Sequence, residues 1–299
     1  MSRVHIALDH LSPEQRKTLK QLTSAPPVAW PTVILFVILV STFIGVYVVC
    51  GMGWLPLWIG TLVNTVVGYV AFSVAHDSLH RAVSTHTRFN DAIGQFGLMV
   101  VLPYVDTRMF RWAHILHHRF ASGDGDPDIA FRGAWWTLPF RWMFIDLAYF
   151  VHALRHVDKV SKPYLRRSLQ MAAVVAVVFA TLIALGYGAE LFMLWFVPSR
   201  LVMLMLGFSF FWLPHVPHDV SQAENFTRAT TVRFGWEWLL GPVLQYQNYH
   251  LIHHLYPMTP FYNNYKVWKL LEPELMKHDL AIQHKLNIHP EIRLRAAGH

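Results

Sequence analysis

Histidine is the residue type in this sequence with the clearest potential for chemistry. The chain has 19 histidines, against 18 aspartates and glutamates together. Ten of the histidines fall into four short clusters. Residues three or four apart share one face of a helix, so each cluster can direct two or three imidazoles towards one point. The clustered residues are His76 and His80; His114, His117 and His118; His215 and His218; and His250, His253 and His254.

Metal ligation is the chemistry that this pattern predicts. Imidazole binds iron, copper, nickel and zinc, and ten imidazoles exceed the three or four ligands of one zinc ion, so we expect two metals. Cys50 is the single cysteine, which argues against iron–sulfur and blue-copper centres. Two irons able to bind O2 fit the ligand number best, and the residues alone leave zinc open. An isolated pair is often structural, but repeated H-x-x-H-H offers no packing advantage over leucine.

The composition places these clusters in a membrane protein. Of the residues, 54% are hydrophobic and 14% charged, which excludes an ordinary soluble domain and a disordered chain. The net charge of +7 lacks the basic, aromatic-interleaved pattern of nucleic-acid binding, so we expect no nucleic-acid partner. Four apolar runs are long enough to cross a bilayer as helices. They cover residues 32–50, 54–75, 169–185 and 190–213.

The remaining segments suggest interfacial elements. The apolar run 92–105 is too short to span and contains two glycines and a proline, so we expect it to lie in the interface or to re-enter. Residues 137–151 are amphipathic and predict an interfacial helix. The first 29 residues are polar and show no cleavable signal sequence.

Charge sets the predicted topology. The two short turns between paired spans carry no lysine or arginine, whereas the other segments are basic, so the positive-inside rule places both termini on the cytoplasmic side of the membrane. We therefore predict an all-α integral membrane protein with two transmembrane hairpins, interfacial helices and a cytoplasmic His-rich di-metal cap. It forms a single domain of 1–299. Its parts are a cytoplasmic segment 1–31, a hairpin 32–75, a cytoplasmic and interfacial segment 76–168, a hairpin 169–213 and a cytoplasmic segment 214–299.

The order H-x-x-x-H, H-x-x-H-H, a further histidine pair and H-x-x-H-H, interleaved with two hairpins, resembles the membrane fatty acid desaturase and hydroxylase superfamily of non-haem di-iron enzymes. The resemblance covers residues 32–268. Residues 248–257, with the sequence NYHLIHHLYP, are similar to the last histidine box of bacterial desaturase-like proteins. These include carotenoid hydroxylases and the fatty acid decarboxylases that form terminal alkenes.

The resemblance implies which residues bind iron and act in catalysis. Eight ligands come from the three boxes, and a ninth comes from His215 or His218, with a slight preference for His218 because Asp219 could support it. Asp77 and Asn248 are further candidates to support ligands. The pair His152 and His156 matches no box and is interpreted as structural. The implied ligands in the boxes are His76, His80, His114, His117, His118, His250, His253 and His254.

Acidic residues near the boxes are also candidates to support ligands. The run GDGDPD at residues 123–128 lacks the glutamate of a calcium loop and is interpreted as a turn. The additional candidates are Asp124, Asp126, Asp128 and Glu224.

The reaction implied by the resemblance is O2-dependent abstraction of hydrogen from a fatty acid chain. The sequence has no flavin, dinucleotide or iron–sulfur motif, so the electrons must come from an external donor of the ferredoxin or ferredoxin reductase type. Desaturation and oxidative decarboxylation to a terminal alkene are equally favoured, with carotenoid or lipid hydroxylation as the alternative. Arg108 and Arg111 could bind a substrate carboxylate, or could be solvated arginines.

Two other classes of protein are less consistent with the sequence. The segment from His76 to His80 resembles the H-E-x-x-H motif of zinc proteases, with aspartate in place of glutamate. A protease would leave both H-x-x-H-H boxes unexplained. A metal transporter would place ionisable residues within its spans, and the four spans here contain almost none.

Overall fold

The computed structural model describes residues 6–295, and the chain is mostly helical within that range. These residues form thirteen α-helices and one small sheet. The helices are α1 (Pro13–Leu22), α2 (Trp30–Gly51), α3 (Leu57–Leu79), α4 (Thr87–Met99), α5 (Thr107–Phe120), α6 (Leu138–Met143), α7 (Ile145–Arg155), α8 (Lys162–Ala184), α9 (Gly188–Leu191), α10 (Val197–Leu206), α11 (Glu237–Val243), α12 (His250–Leu255) and α13 (Asn264–Leu275).

Four helical segments of residues 6–295 are long and apolar enough to span a membrane, and they coincide with the four apolar runs that predicted spans. Three of them are α2, α3 and α8. The fourth, Gly188–His215, is a composite of α9, α10 and two π-helical turns, Phe192–Phe196 and Gly207–Trp212. The sequence could not reveal the π-turns, because a π-turn changes the hydrogen-bond spacing of the backbone and leaves the apolar composition of the segment unchanged.

The short apolar run and the amphipathic segment also form helices. The run 92–105 contributes to α4, which packs along α3. The amphipathic segment 137–151 becomes two helices, α6 and α7, because the backbone leaves the helical conformation at Phe144.

The all-α prediction is right for most of the chain but misses a three-stranded sheet. Strand β1 (Thr231–Phe234) pairs in parallel with β2 (Leu280–His284), and β2 pairs antiparallel with β3 (Glu291–Arg293). The strands are three to five residues long, and β1 and β2 are far apart in the chain. Such short segments carry too little periodicity to be identified without their partners.

The chain divides into two compact units. The terminal unit contains Met1–Pro26, Ile115–Arg132 and Phe208–His299, and the helical unit contains Pro27–His114 and Gly133–Gly207. The terminal unit has a hydrophobic core in which α1, α12, α13 and the sheet meet. Its most deeply buried side chains include Leu251, Ile252, Trp268, Leu271 and Leu280.

Helix α3 is the centre of the helical unit, because α2, α4 and α10 all pack against it. Close approach requires glycine at two points. A Cβ at Gly60 would lie 2.6 Å from Leu194 Cδ2, and a Cβ on Gly94 of α4 would lie 1.6 Å from the Ser78 hydroxyl oxygen. Glycine lets the backbones approach as small residues do between membrane helices.

Polar side chains of α3 donate to backbone carbonyls of the fourth span. Thr61 Oγ1 lies 2.7 Å from the Met193 carbonyl oxygen, and Asn64 Nδ2 lies 2.8 Å from that of Leu194. Both carbonyls belong to the π-turn Phe192–Phe196. Because a bilayer core offers no water, such donors are satisfied within the protein.

The fourth span also contains a buried ion pair. Both terminal nitrogens of Arg200 donate to the Asp146 carboxylate, at 2.9 and 3.0 Å, and one of them also donates to the Met143 carbonyl. Tyr104 donates its hydroxyl to the same carboxylate. Arg200 is therefore an exception to the apolar character of the spans, and the pair links α10 to α7.

Replacing Asp146 with alanine should destabilise the protein by about 3–5 kcal/mol, because the Arg200 guanidinium stays buried without its counter-charge. Chemical unfolding of the purified protein in detergent measures the loss. The exposed Asp9→Ala serves as the control and should change little. A double variant, Asp146→Ala with Arg200→Met, should recover part of the loss. Equal stabilities of Asp146→Ala and wild type would contradict a role for the pair.

Candidate metal centre

Three histidines of the helical unit form a cluster at the end of α3. His76 lies in the last turn of α3, His80 follows that helix, and His114 lies on α5. The Nε2 atoms of His76 and His114 are 3.0 Å apart, and the three ring centroids are separated by 4.8 to 5.0 Å. Asp77, next to the first histidine, is buried and accepts a hydrogen bond from Thr32 at 3.1 Å.

Arg111 fixes α5 so that His114 reaches this cluster. Its guanidinium donates to the carbonyl oxygens of Ser78 and Leu79 at the end of α3, and forms an ion pair of 2.6 Å with Asp91 of α4. The arginine lies one turn before His114 on α5, so it sets the rotation of that helix.

Arg108 is also paired with an acidic residue of this chain. It forms an ion pair with Asp106 at 2.9 Å, and Arg167 binds the same carboxylate. Both arginines that could have bound a substrate carboxylate, Arg108 and Arg111, therefore form ion pairs with acidic residues of this chain. The sequence alone could not show which acidic residues the two arginines would contact.

A second cluster lies in the terminal unit. It consists of His117, His215, His250 and His254, each no more than 6% exposed. The Nε2 atom of His250 lies 3.0 Å from that of His215 and 3.1 Å from that of His254. The rings of His117 and His215 are 4.8 Å apart. Ligand nitrogens lie about 2.0–2.1 Å from a metal, so ligands at right angles are about 3.0 Å apart.

Every ring of this four-histidine cluster turns its Nδ1 outwards to an oxygen. His117 Nδ1 lies 3.0 Å from Asp126 and 3.1 Å from Asp128, and the other acceptors come from a backbone carbonyl and two glutamines. Because these oxygens accept, Nδ1 carries the hydrogen and Nε2 presents a lone pair to the centre. The remaining pairs are His215 with the Ala229 carbonyl, His254 with Gln222 and His250 with Gln247.

Four converging lone pairs repel one another unless a cation lies between them, so the donor set fits a metal ion. Burial by itself lowers the pKa of His117, but Asp128 and Asp126 outweigh it and raise that pKa to about 9. Burial and the neighbouring His254 and His215 hold the pKa of His250 well below its ordinary value. The carboxylates thus favour a positive charge on or beside His117, whereas His250 stays neutral and available as a ligand.

Comparison with known proteins identifies the family. The profile of the fatty acid desaturase family matches residues 52–286. The chain belongs to the fatty acid desaturase family. It is also similar to two β-carotene ketolases, from Paracoccus sp. (strain PC1) and Paracoccus sp. (strain N81106 / MBIC 01143). Each is 28% identical over 193 residues, which make up 64% of this chain and 70% of the relative.

Membership of the desaturase family confirms the predicted resemblance and the predicted class of enzyme. This desaturase-family protein is an oxidoreductase of the membrane di-iron type. Its four apolar helices agree with a location in the membrane. Membership of this family excludes the two alternatives, an intramembrane zinc protease and a metal transporter.

The third histidine box of this desaturase-family chain is positioned by the sheet. The backbone N–H of Arg233 in β1 donates to the Asn248 carbonyl at 2.7 Å, and Val232 pairs with Tyr249. Helix α12 then buries Leu251 and Ile252 in the hydrophobic core, so the three histidines of α12 point the other way. One of them, His253, has its Nε2 atom 2.9 Å from that of His118.

His215 and His218 have different surroundings. The sequence slightly preferred His218 as the ninth ligand, whereas it is His215 that lies in the four-histidine cluster. His215 ends the fourth span and belongs to the four-histidine cluster. His218 contacts the Trp212 ring, and within residues 6–295 neither of its ring nitrogens has a hydrogen-bond partner. Burial and Arg132 lower its pKa to about 3.

Asp219, expected to support His218, instead forms an ion pair with Arg228 and is half exposed. The spacing H-x-x-H could not show which of the two histidines joins the cluster, because the helical geometry ends at His215 and the direction of His218 depends on the loop that follows.

Two glutamines that hydrogen-bond to histidines of the cluster are missing from the residues predicted from the sequence. Gln247 accepts from His250 three residues later, a spacing that could have indicated it. Gln222 accepts from His254 at 2.9 Å and donates to the His118 carbonyl at 2.7 Å, and no local signal marks it. Asp126 and Asp128, named among several acids and placed in a turn, are the buried partners of His117. Asn248 is also buried and, in the described part of the chain, its side-chain amide has no hydrogen-bond partner.

Replacing His117 with alanine should remove at least half of the bound metal, because one ligand and the contact to two carboxylates are lost. Elemental analysis of the purified full-length protein measures the metal content. His152→Ala is the matched control, since His152 of α7 stacks on His156 just after that helix and lies outside the clusters. Wild-type metal content in His117→Ala would rule out this ligand.

Replacing Gln222 with leucine should weaken metal binding by about 10- to 100-fold, because His254 loses the acceptor that orients its ring. Gln222→Glu, which keeps an acceptor for Nδ1, should restore most of the affinity. A chelator competition followed by metal analysis gives the measurement. If the leucine and glutamate variants bind metal equally well, the hydrogen bond to His254 does not control the site.

Proposed function

We propose that the protein is an O2-dependent di-iron oxidase that breaks a C–H bond of a fatty acid chain. The observation that carries the proposal is the convergence of buried Nε2 atoms whose Nδ1 atoms are all bonded outwards. In this proposal, the four-histidine cluster holds one iron. His76, His80 and His114 of the helical unit bind a second iron. His118 and His253 of the terminal unit, whose Nε2 atoms are 2.9 Å apart, are further proposed iron ligands.

Iron bound at these positions would supply the one-electron chemistry that activates O2 against an unactivated C–H bond. The chain's own contribution is to fix the ligands and exclude water. Asp126, Asp128, Gln222 and Gln247 hold the imidazoles in one tautomer, and burial of the rings keeps bulk water from the site.

The fatty acid substrate is supported by the family and by the four apolar helices, one of which ends at the first box. Loss of a first hydrogen leaves a carbon radical. Loss of a second hydrogen from the neighbouring carbon gives desaturation, whereas loss of a second electron from a radical β to the carboxyl group releases CO2 and leaves a terminal alkene. In both cases O2 would take up the two substrate electrons, together with two from the external donor, and end as water. Since Arg108 and Arg111 are bound to Asp106 and Asp91, neither arginine supports recognition of a free acid. Both outcomes therefore stay in the proposal.

Oxidation of a carotenoid is the second candidate, and the similarity to the two Paracoccus β-carotene ketolases favours it. A carotenoid is as apolar as a fatty acid chain and has no carboxylate to bind. The same metal centre would then hydroxylate or further oxidise a carbon of the ring or chain.

The topology belongs to the same proposal. The turns after α2 and α8 contain no lysine or arginine, which supports two hairpins whose turns face away from the cytoplasm. The termini and histidine boxes would then lie on the cytoplasmic side of a bacterial inner membrane. An external ferredoxin-type protein would deliver the electrons there, and the chain would act as one domain.

Product analysis separates these outcomes. Cells that express the protein are fed saturated fatty acids, and the products are identified by gas chromatography and mass spectrometry. We expect either an acid with a new double bond or an alkene one carbon shorter, and neither should form with His254→Ala. His152→Ala should retain the activity.

A parallel culture that accumulates β-carotene tests the second candidate by liquid chromatography. Oxidised carotenoid together with unchanged fatty acids would replace the first proposal with the second. No product in either culture, from protein with two bound irons and an added ferredoxin system, would contradict both.

A further inference from the structure

The polar end of α8 contains an open groove that the proposed reaction does not use. The groove has a volume of about 860 Å³ and lies in the helical unit. It runs from the loop before α8 along one face of that helix. Its lining residues include Lys159, Lys162, Leu165, Arg166, Leu169 and Ala173.

The lining changes character along the groove. Lys159, Lys162 and Arg166 lie at the polar end. The part that continues along α8 is mostly apolar, lined by Leu165, Leu169 and Ala173 with the uncharged Gln170 among them. The distance from Lys162 to Ala173 along the helix is about 16 Å, at 1.5 Å per residue. Since α8 is a candidate span, this order places cationic groups at the headgroup level and the apolar wall at the level of acyl chains.

The three cations of the groove are available to a ligand. Within residues 6–295, Lys159, Lys162 and Arg166 form no ion pair, whereas the neighbouring Arg167 binds Asp106. The one carboxylate of the lining, Asp158, accepts hydrogen bonds from the backbone N–H groups of Val160 and Ser161 and from the Ser161 hydroxyl. The Asp158 carboxylate therefore binds the backbone of its own loop and forms no ion pair with Lys159 or Lys162.

We propose that this groove binds one anionic glycerophospholipid, with the phosphate on Lys159, Lys162 and Arg166 and an acyl chain along Leu169 and Ala173. Charge complementarity selects an anionic over a zwitterionic headgroup, and the apolar wall selects a lipid over a soluble anion. Leu165 is shared by the groove and by a core cluster with Met109 and Trp112 of α5. The bound lipid would thus brace the packing between α8 and the helix that carries His114.

The test uses the full-length protein in nanodiscs of phosphatidylcholine with a minor share of phosphatidylglycerol. Native mass spectrometry counts the phosphatidylglycerol retained on the protein. We expect one molecule on the wild type, and a roughly tenfold or greater loss of affinity in Lys159→Gln/Lys162→Gln/Arg166→Gln. The matched control, Lys17→Gln/Lys20→Gln/Lys266→Gln, removes the same number of exposed cations elsewhere and should retain the lipid.

A second variant tests the apolar part. Ala173→Trp fills the groove without changing its charge and should also release the lipid. Inorganic phosphate should not displace it. Retention by the triple variant would overturn the proposal. So would retention by Ala173→Trp together with displacement by phosphate, which would indicate a plain anion patch.

The cationic residues could instead dock an acidic protein. Unchanged lipid binding in the triple variant, with lost binding of an acidic ferredoxin, would assign the surface to an electron donor and overturn the lipid site. These outcomes do not depend on turnover, so they are distinct from those that test the oxidase.

Discussion

The repulsion between inward-facing imidazole lone pairs is the constraint on which the rest of this structure depends. His250 Nε2 lies about as close to two other Nε2 atoms as adjacent ligands of one metal lie to each other. The rings can be held in that arrangement only if each Nδ1 is bonded elsewhere. Acceptors such as Asp126 and Gln222 meet that need, and they bring the loops that carry them into the core of the site.

The apolar helices impose a second constraint, because polar groups within them must find partners in the protein. Thr61 and Asn64 donate to carbonyls of the fourth span, and Arg200 binds Asp146. These contacts fix α3 and α10, and α3 ends at the first histidine box. The same physical rule, that buried polar groups must be paired, therefore governs both the clustered histidines and the scaffold that holds them.

Much of the fold could be predicted from the sequence, because apolar length and helical spacing are local properties. The four spans and the shared helix face of His114 and His117 follow from residues close together in the chain. The sheet that positions the third box could not be predicted, since β1 and β2 are short and acquire order only by pairing. The ion pair of Arg111 could not be predicted for a related reason, because its partner Asp91 is 20 residues away.

The sequence by itself determined the kind of chemistry. The spacing of the histidine boxes and the four apolar runs follow from helical periodicity and bilayer thickness, which need no tertiary information. Only the tertiary structure places His215 in the four-histidine cluster and His218 outside it, and only it brings Gln222 to His254. The first choice depends on where the helical geometry ends, and the second joins residues 32 positions apart. Such contacts arise from packing, and no local pattern encodes them.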